Sequence, residues 1–222
     1  MTRFRAVLWD FGGVLTTSPF DAFARYESDR GLPAGFLRQV NATNPDSNAW
    51  ARLERNEVDL DGFATAFAAE SGELGHTVDG RDVLALLGGD IRPAMVDAVR
   101  ACKAAGLLSA LLTNNTVALN VDSGPDEVDG GGWEAGLRLD DLFDVVVESS
   151  KEGVRKPDPA AYELVLDRLG VDAHEVVFLD DLGVNLKPAR ALGMTTIKVS
   201  DPDEALAQLG AILGLPLGAA AP

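Results

Sequence analysis

The feature that most constrains this chain is a series of short apolar, partly β-branched runs, each with a polar residue just past its end and helical patterns between them. The runs are Ala6 to Trp9, Leu107 to Leu112, Val145 to Val147, Val176 to Leu179 and Thr196 to Val199. Each is short enough for a buried strand. Strand alternating with helix predicts an α/β fold, a Rossmann-like parallel sheet with right-handed crossovers. In an open parallel sheet, ligands bind beyond the carboxyl ends of the strands. That rule gathers residues far apart in the chain: Asp10 after the first run, Thr113 after the second, Lys156 soon after the third, and Asp180 and Asp181 after the fourth.

Helix boundaries are also readable. Pro93, Pro159 and Pro202 suit the first helical position, where the missing N–H costs nothing, and Asp158 and Asp201 stand before two of them as N-caps. Gly106 and Gly170 suit the ends of the helices that start at Pro93 and Pro159. Residues 17–92 break the alternation and hold no convincing strand. Phe20, Phe23, Ala24 and Glu27 fit one amphipathic helix, and Trp50, Leu53, Phe63 and Phe67 fit others, separated by Pro33, Asn44-Pro45 and Asp61-Gly62. The expected division is an α/β core of residues 1–16 and 93–222 with an all-helical cap, 17–92, inserted after the first strand. An insert there overhangs the carboxyl ends of the sheet, where it can exclude water and select substrate. The Gly- and Asp-rich stretch Val121 to Gly136 lacks periodicity and is expected to be a solvated loop.

Charge narrows the classes of partner. The formal charge is -16, from 19 basic and 35 acidic side chains, which opposes a nucleic-acid surface because phosphate backbones need clustered Lys and Arg. An anionic small molecule would need local positive charge, from a metal or a few placed cations. The apolar run from Ala6 is too short for a signal peptide or a membrane span and ends in a charged residue, so a cytoplasmic chain without membrane contact is expected. Cys102, the single cysteine, sits in an apolar helical pattern and suits a small buried hydrophobe. No feature of the sequence sets an oligomeric state.

Taken singly, an Asp after a strand is ordinarily a turn or cap former, and Lys156 could be a solvated lysine ahead of a helix. Their joint placement is what departs from chance. Four motifs in order, Asp10-Phe11-Gly12-Gly13-Val14-Leu15, Thr113-Asn114, Arg155-Lys156-Pro157-Asp158-Pro159, and Asp180-Asp181 with Asn185, resemble those of the haloacid dehalogenase-like (HAD) hydrolase superfamily. The stretch Phe178 to Arg190 is similar to the amino-terminal phosphatase domain of soluble epoxide hydrolases and to the HAD domain fused to certain acyl-CoA dehydrogenases.

The resemblance implies an enzyme, most simply a phosphatase that acts on a small phosphorylated metabolite with Mg2+ as cofactor. It implies Asp10 as the nucleophile that forms an aspartyl-phosphate, with Asp10, Asp181 and the Gly12 carbonyl holding Mg2+ and Asp180 and Asn185 supporting them. Thr113, the amide of Asn114 and the Lys156 ammonium would clamp the phosphoryl oxygens, a role that suits a reaction governed by positioning and charge. One departure stands out. Most phosphatases of the superfamily carry a second Asp two residues after the nucleophile, which protonates the leaving oxygen and then activates water; here that position is Gly12. Two other readings therefore stand beside the phosphatase: a dehalogenase-type hydrolase that attacks carbon, where halide needs no proton, and a non-catalytic phospholigand-binding or scaffold protein.

Overall fold

Both faces of a central sheet are covered in the computed structural model of the chain, which describes residues 4–114 and 139–217. The proposed loop Val121 to Gly136 lies outside the described residues. The chain enters through β1 (Ala6–Trp9) and a wide turn, Phe11–Leu15, then passes through helices α1 (Phe20–Arg30), α2 (Phe36–Ala42), α3 (Ala49–Glu54), α4 (Leu60–Glu73) and α5 (Gly80–Ala85). It continues as α6 (Pro93–Ala104), β2 (Leu108–Thr113), α7 (Leu139–Leu142), β3 (Val145–Glu148), α8 (Ser149–Glu152) and α9 (Pro159–Leu169). It ends with β4 (Val176–Asp180), α10 (Gly183–Leu192), β5 (Thr195–Lys198) and α11 (Pro202–Leu213).

The five strands are all parallel, in the order β3-β2-β1-β4-β5. The period of two along each strand sorts its side chains onto two faces. Val7, Trp9, Leu111, Val177, Leu179 and Ile197 pack with Met95, Val99 and Cys102 of α6 and Leu206, Leu209 and Leu213 of α11. Ala6, Leu8, Ala110, Leu112, Val176 and Phe178 pack with Tyr162 and Val165 of α9 and Leu186 and Ala189 of α10. Burial on both faces explains why β1 and β4 read as unbroken apolar runs; the complete burial of one such side chain, Phe178, contributes about 1.5–3 kcal/mol.

Helix ends follow the expected chemistry. Asp158 accepts from the Ala160 N–H at 3.0 Å ahead of Pro159, and Asp201 accepts from the Glu204 N–H at 2.9 Å ahead of Pro202. Gly170 ends α9 at φ 64°, and Gly106 follows α6 at φ 83°. One expected break is misplaced. Asp61-Gly62 does not separate helices but lies in the first turn of α4, because Asp59 is the cap and its carboxylate takes the Gly62 N–H at 2.8 Å. The chain turns instead just before Asp59, where Asn56 adopts φ 58°.

Helices α1 to α5 share an apolar cluster of their own, with Phe23, Phe36, Trp50, Phe63 and Phe67 at its centre and Trp50 edge-on to Phe63 at 4.7 Å. The two strands of chain that join this helical segment to the sheet run side by side. Thr16 and Ile91 form an antiparallel bridge, the Thr17 N–H donates to Asp90 O, and the Arg92 N–H donates to Leu15 O.

Candidate active site

The order of the strands places the reversal of the winding between β1 and β4, and a crevice forms where the chain leaves neighbouring strands in opposite directions. Asp10 and Asp180 stand at this point. The Asp10 N–H continues the ladder by donating to Leu179 O at 2.9 Å, so the two carboxylates leave the sheet side by side. Asp10 also caps the turn that follows, its Oδ1 accepting from the Phe11 N–H at 2.7 Å.

Lys156 reaches into the same point from the loop before α9. Its ammonium is 2.6 Å from Asp10 Oδ1 and 2.8 Å from Asp180 Oδ2, and the side chain is 1% exposed. Burial pulls its pKa down, but the charges of Asp10 and Asp180 overcome this and hold the ammonium protonated. Burial pushes the Asp10 carboxyl well above the ordinary carboxylate range, with Lys156 opposing it. Asp180 is fully engaged. Besides Lys156 it accepts from the Leu182 N–H at 2.8 Å and from Asn185 Nδ2 at 3.1 Å, and the Asn185 carbonyl is itself held by the Tyr162 hydroxyl at 2.7 Å.

Asp181 differs from its neighbour. It is half-buried, and among the described residues no cation lies within ion-pair distance. Burial and then the charge of Asp180 push its pKa up to about 6, against the pull of Lys156 and Arg92. Gly13 makes this packing possible. It adopts φ 76°, and a Cβ there would overlap the Asp181 carboxylate. Gly12 is unlike it, with φ -62°, ψ 130° and nothing within 4 Å of the place a Cβ would take.

Oxygens of Asp10, Asp180 and Asp181 all lie within 4.8 Å of one another. Three carboxylates facing one ammonium leave the cluster short of positive charge, and its donors are hard oxygens. That set fits Mg2+, which takes oxygen ligands and ordinarily only one or two carboxylates from the protein.

Thr113 ends β2, half-buried, beside Glu148 in the sheet register. Asn114, next to it, spans the backbone of Lys156: Nδ2 donates to Lys156 O and Oδ1 accepts from the Lys156 N–H, both at 2.9 Å. Three residues that sequence reasoning gave no role also meet here. Arg92 donates to Gly13 O at 2.9 Å and so pins the turn that follows Asp10, while Glu54 of α3 pairs with Arg155. Arg155 stood inside a recognised motif, but Glu54 and Arg92 carry no sequence signal, since their partners are distant in the chain. A cleft of about 390 Å3 opens beside this junction between Arg55 and Arg155; Asp10, Asp180 and Asp181 do not line it.

The haloacid dehalogenase-like hydrolase family matches residues 4–193. The chain belongs to this family. It is therefore a HAD-like hydrolase, and relatives extend the match. It is 38% identical to mouse acyl-CoA dehydrogenase family member 10 over 96% of this chain and 20% of that protein. It is 34% identical to pig bifunctional epoxide hydrolase 2 over 96% of this chain and 39% of that protein. The chain thus spans well under half the length of these two curated relatives. A relative of similar length is phosphatase MT3486 of Mycobacterium tuberculosis, 33% identical over 94% of this chain and 96% of that protein. Among solved structures, a predicted HAD-like family hydrolase from Porphyromonas gingivalis shares the fold at TM-score 0.65 and 20% identity, covering 96% of this chain and 98% of the other. Among the described residues no helix is long and apolar enough to cross a membrane.

Proposed function

We propose that this HAD-like hydrolase is a Mg2+-dependent phosphatase that cleaves a small phosphorylated metabolite through an aspartyl-phosphate on Asp10. The observation that carries the reading is the buried Asp10–Lys156 contact at 2.6 Å, set at the switch point of the sheet with Asp180 and Asp181 alongside. Relatives named as phosphatases give it independent support.

In this reading Asp10 attacks phosphorus with a carboxylate oxygen as the bond to the leaving oxygen breaks. Its Oδ1 is tied to Phe11 N–H and Lys156, so Oδ2 is the attacking atom. Water then attacks the aspartyl-phosphate, releasing inorganic phosphate and restoring the carboxylate; the covalent route divides one difficult displacement into two easier ones. Lys156, the Thr113 hydroxyl and the backbone N–H of Asn114 hold the phosphoryl oxygens and oppose their charge. Asp10, Asp181 and the Gly12 carbonyl would hold Mg2+, with Asp180 and Asn185 fixing the frame around them. When bound, Mg2+ neutralises charge on the carboxylates and the phosphoryl group. The helical segment, 17–92, acts as a cap that selects the metabolite. Attack on carbon with loss of halide has no use for two further carboxylates beside the nucleophile, so the acidic cluster favours phosphorus.

The test is hydrolysis of a panel of phosphorylated metabolites with and without Mg2+, using Asp10→Asn as the blank. Turnover should need both the metal and Asp10. Equal activity in chelator, or in the Asp10→Asn variant, would sink the reading.

A second expectation follows from the half-buried, acidic setting of Asp181. Asp181→Ala should weaken Mg2+ binding at least about 10–100-fold, the loss seen when even an indirect partner of a metal is removed. It should not cost stability at neutral pH. A carboxyl whose pKa is raised on folding is a burden above its unfolded pKa, so its removal leaves the fold as stable or more so. Titration calorimetry that gives unchanged Mg2+ affinity in the variant would show the metal to be elsewhere.

A further inference from the structure

Glu54 closes α3, in the helical segment, and turns its carboxylate toward the core. Its Oε2 accepts from Asn114 Nδ2 at 3.3 Å and lies 2.5 Å from Arg155 Nε. Arg155 also donates from Nη1 to Pro45 O at 2.9 Å, so the guanidinium is held twice by the helical segment. Asn114 in turn grips Lys156 by both backbone groups, at 2.9 Å each. A carboxamide that binds both the N–H and the C=O of one residue fixes the two peptide planes around it, and with them the origin of its side chain.

We propose that Glu54 is a positioning residue: held by Arg155, it orients the Asn114 carboxamide and through it sets the backbone from which Lys156 reaches Asp10 and the phosphoryl group. The phosphate half of this proposal rests on the phosphatase reading above. The geometry gives Glu54 its leverage. Asn114 Nδ2 carries two N–H groups, one used by Lys156 O and the other by Glu54, so the amide is satisfied only while both are present. Arg155 and Glu54 are both largely shielded from water, at 17% and 15% side-chain exposure, so neither charge has a good solvent alternative. Glu54 acts on the lysine through Asn114 rather than by touching the reacting atoms. Its effect must therefore vanish once Asn114 is gone, which an independent structural role would not do.

The experiment compares wild type, Glu54→Ala, Glu54→Gln, Asn114→Ala and the Glu54→Ala/Asn114→Ala double variant. The readouts are kcat and KM for p-nitrophenyl phosphate with Mg2+, competitive inhibition by inorganic phosphate, and hydrogen exchange at the Lys156 N–H. Glu54→Ala should lower kcat/KM about 100-fold, the scale of a misplacement of about 1 Å. It should weaken phosphate inhibition and speed Lys156 N–H exchange about tenfold. Glu54→Gln, which keeps an oxygen for Asn114, should recover part of each loss. The double variant should be no worse than Asn114→Ala. Wild-type kcat/KM and Lys156 exchange in Glu54→Ala, or losses that multiply in the double variant, would overturn the proposal. If Glu54→Ala fails to fold, Glu54→Gln decides by the same two readouts. Exchange at Lys156 does not depend on turnover: if it accelerates as expected while wild type neither cleaves the ester nor binds phosphate, the phosphatase reading fails and the placement of Lys156 by Glu54 stands.

Discussion

Lys156→Met is expected to lose activity about 100 to 1,000-fold, the effect of removing one preorganised donor from a site of developing charge. It is also expected to lose about 3–5 kcal/mol of stability, because the ammonium is buried between two carboxylates that then face each other without a cation. The two losses have different remedies. Methionine fills the volume of the lysine stem, so packing against Phe178, over which the ammonium lies at 5.8 Å, is largely kept. The stability loss is therefore electrostatic and depends on pH. Without Lys156, the folded chain holds a proton on Asp10 more tightly than the unfolded chain does, so the deficit is full above the raised folded pKa and shrinks as pH falls toward the ordinary carboxylate value. Urea unfolding at several pH values checks this, alongside inhibition by inorganic phosphate. Wild-type stability across the range would show that Lys156 does not neutralise Asp10, and unchanged rate and phosphate inhibition would show that it does not neutralise the phosphoryl group.

The central strands β1 and β4 were legible because burial on both faces leaves no polar interruption: Val176 to Leu179 is apolar at every position, and β4 lies there with both faces covered. Residues at the strand ends were legible for the same reason, since the first polar residue after such a run marks the edge of the sheet. The order of the strands was not, because periodicity records which face a residue occupies and not which strand lies beside it. Asp61-Gly62 misled because a glycine in the first turn of a helix looks like a break unless the cap at Asp59 is recognised. Gly12 and Gly13 are adjacent and chemically identical, yet only Gly13 is in the left-handed region, pressed against Asp181. The contacts among Glu54, Asn114 and Arg155 are set by how the helical segment seats on the core, which no local pattern encodes.

That difference between the two glycines turns the main departure from the family pattern into an experiment. At Gly12 the backbone has φ -62° and ψ 130°, ordinary for any L-residue, and a Cβ would meet nothing within 4 Å. Gly12→Asp should therefore fold, and it would restore a carboxyl two residues beyond the proposed nucleophile. A placed general acid and base is worth about 100 to 10,000-fold in rate. The gain should be unequal. Alkyl phosphates have leaving oxygens that need a proton, so their turnover should rise by that factor, whereas aryl and acyl phosphates, whose leaving groups depart as anions, should gain little in the first step. In wild type the same reasoning predicts a steep dependence of rate on leaving-group acidity and slow hydrolysis of the aspartyl-phosphate, which should accumulate and be seen by intact-mass measurement after rapid quenching. In Gly12→Asp the accumulated species should decline, because the new carboxylate also activates the attacking water. If wild type instead cleaves alkyl and aryl phosphates equally fast while chemistry limits the rate, another residue already supplies the proton and the carboxyl at position 12 will add nothing.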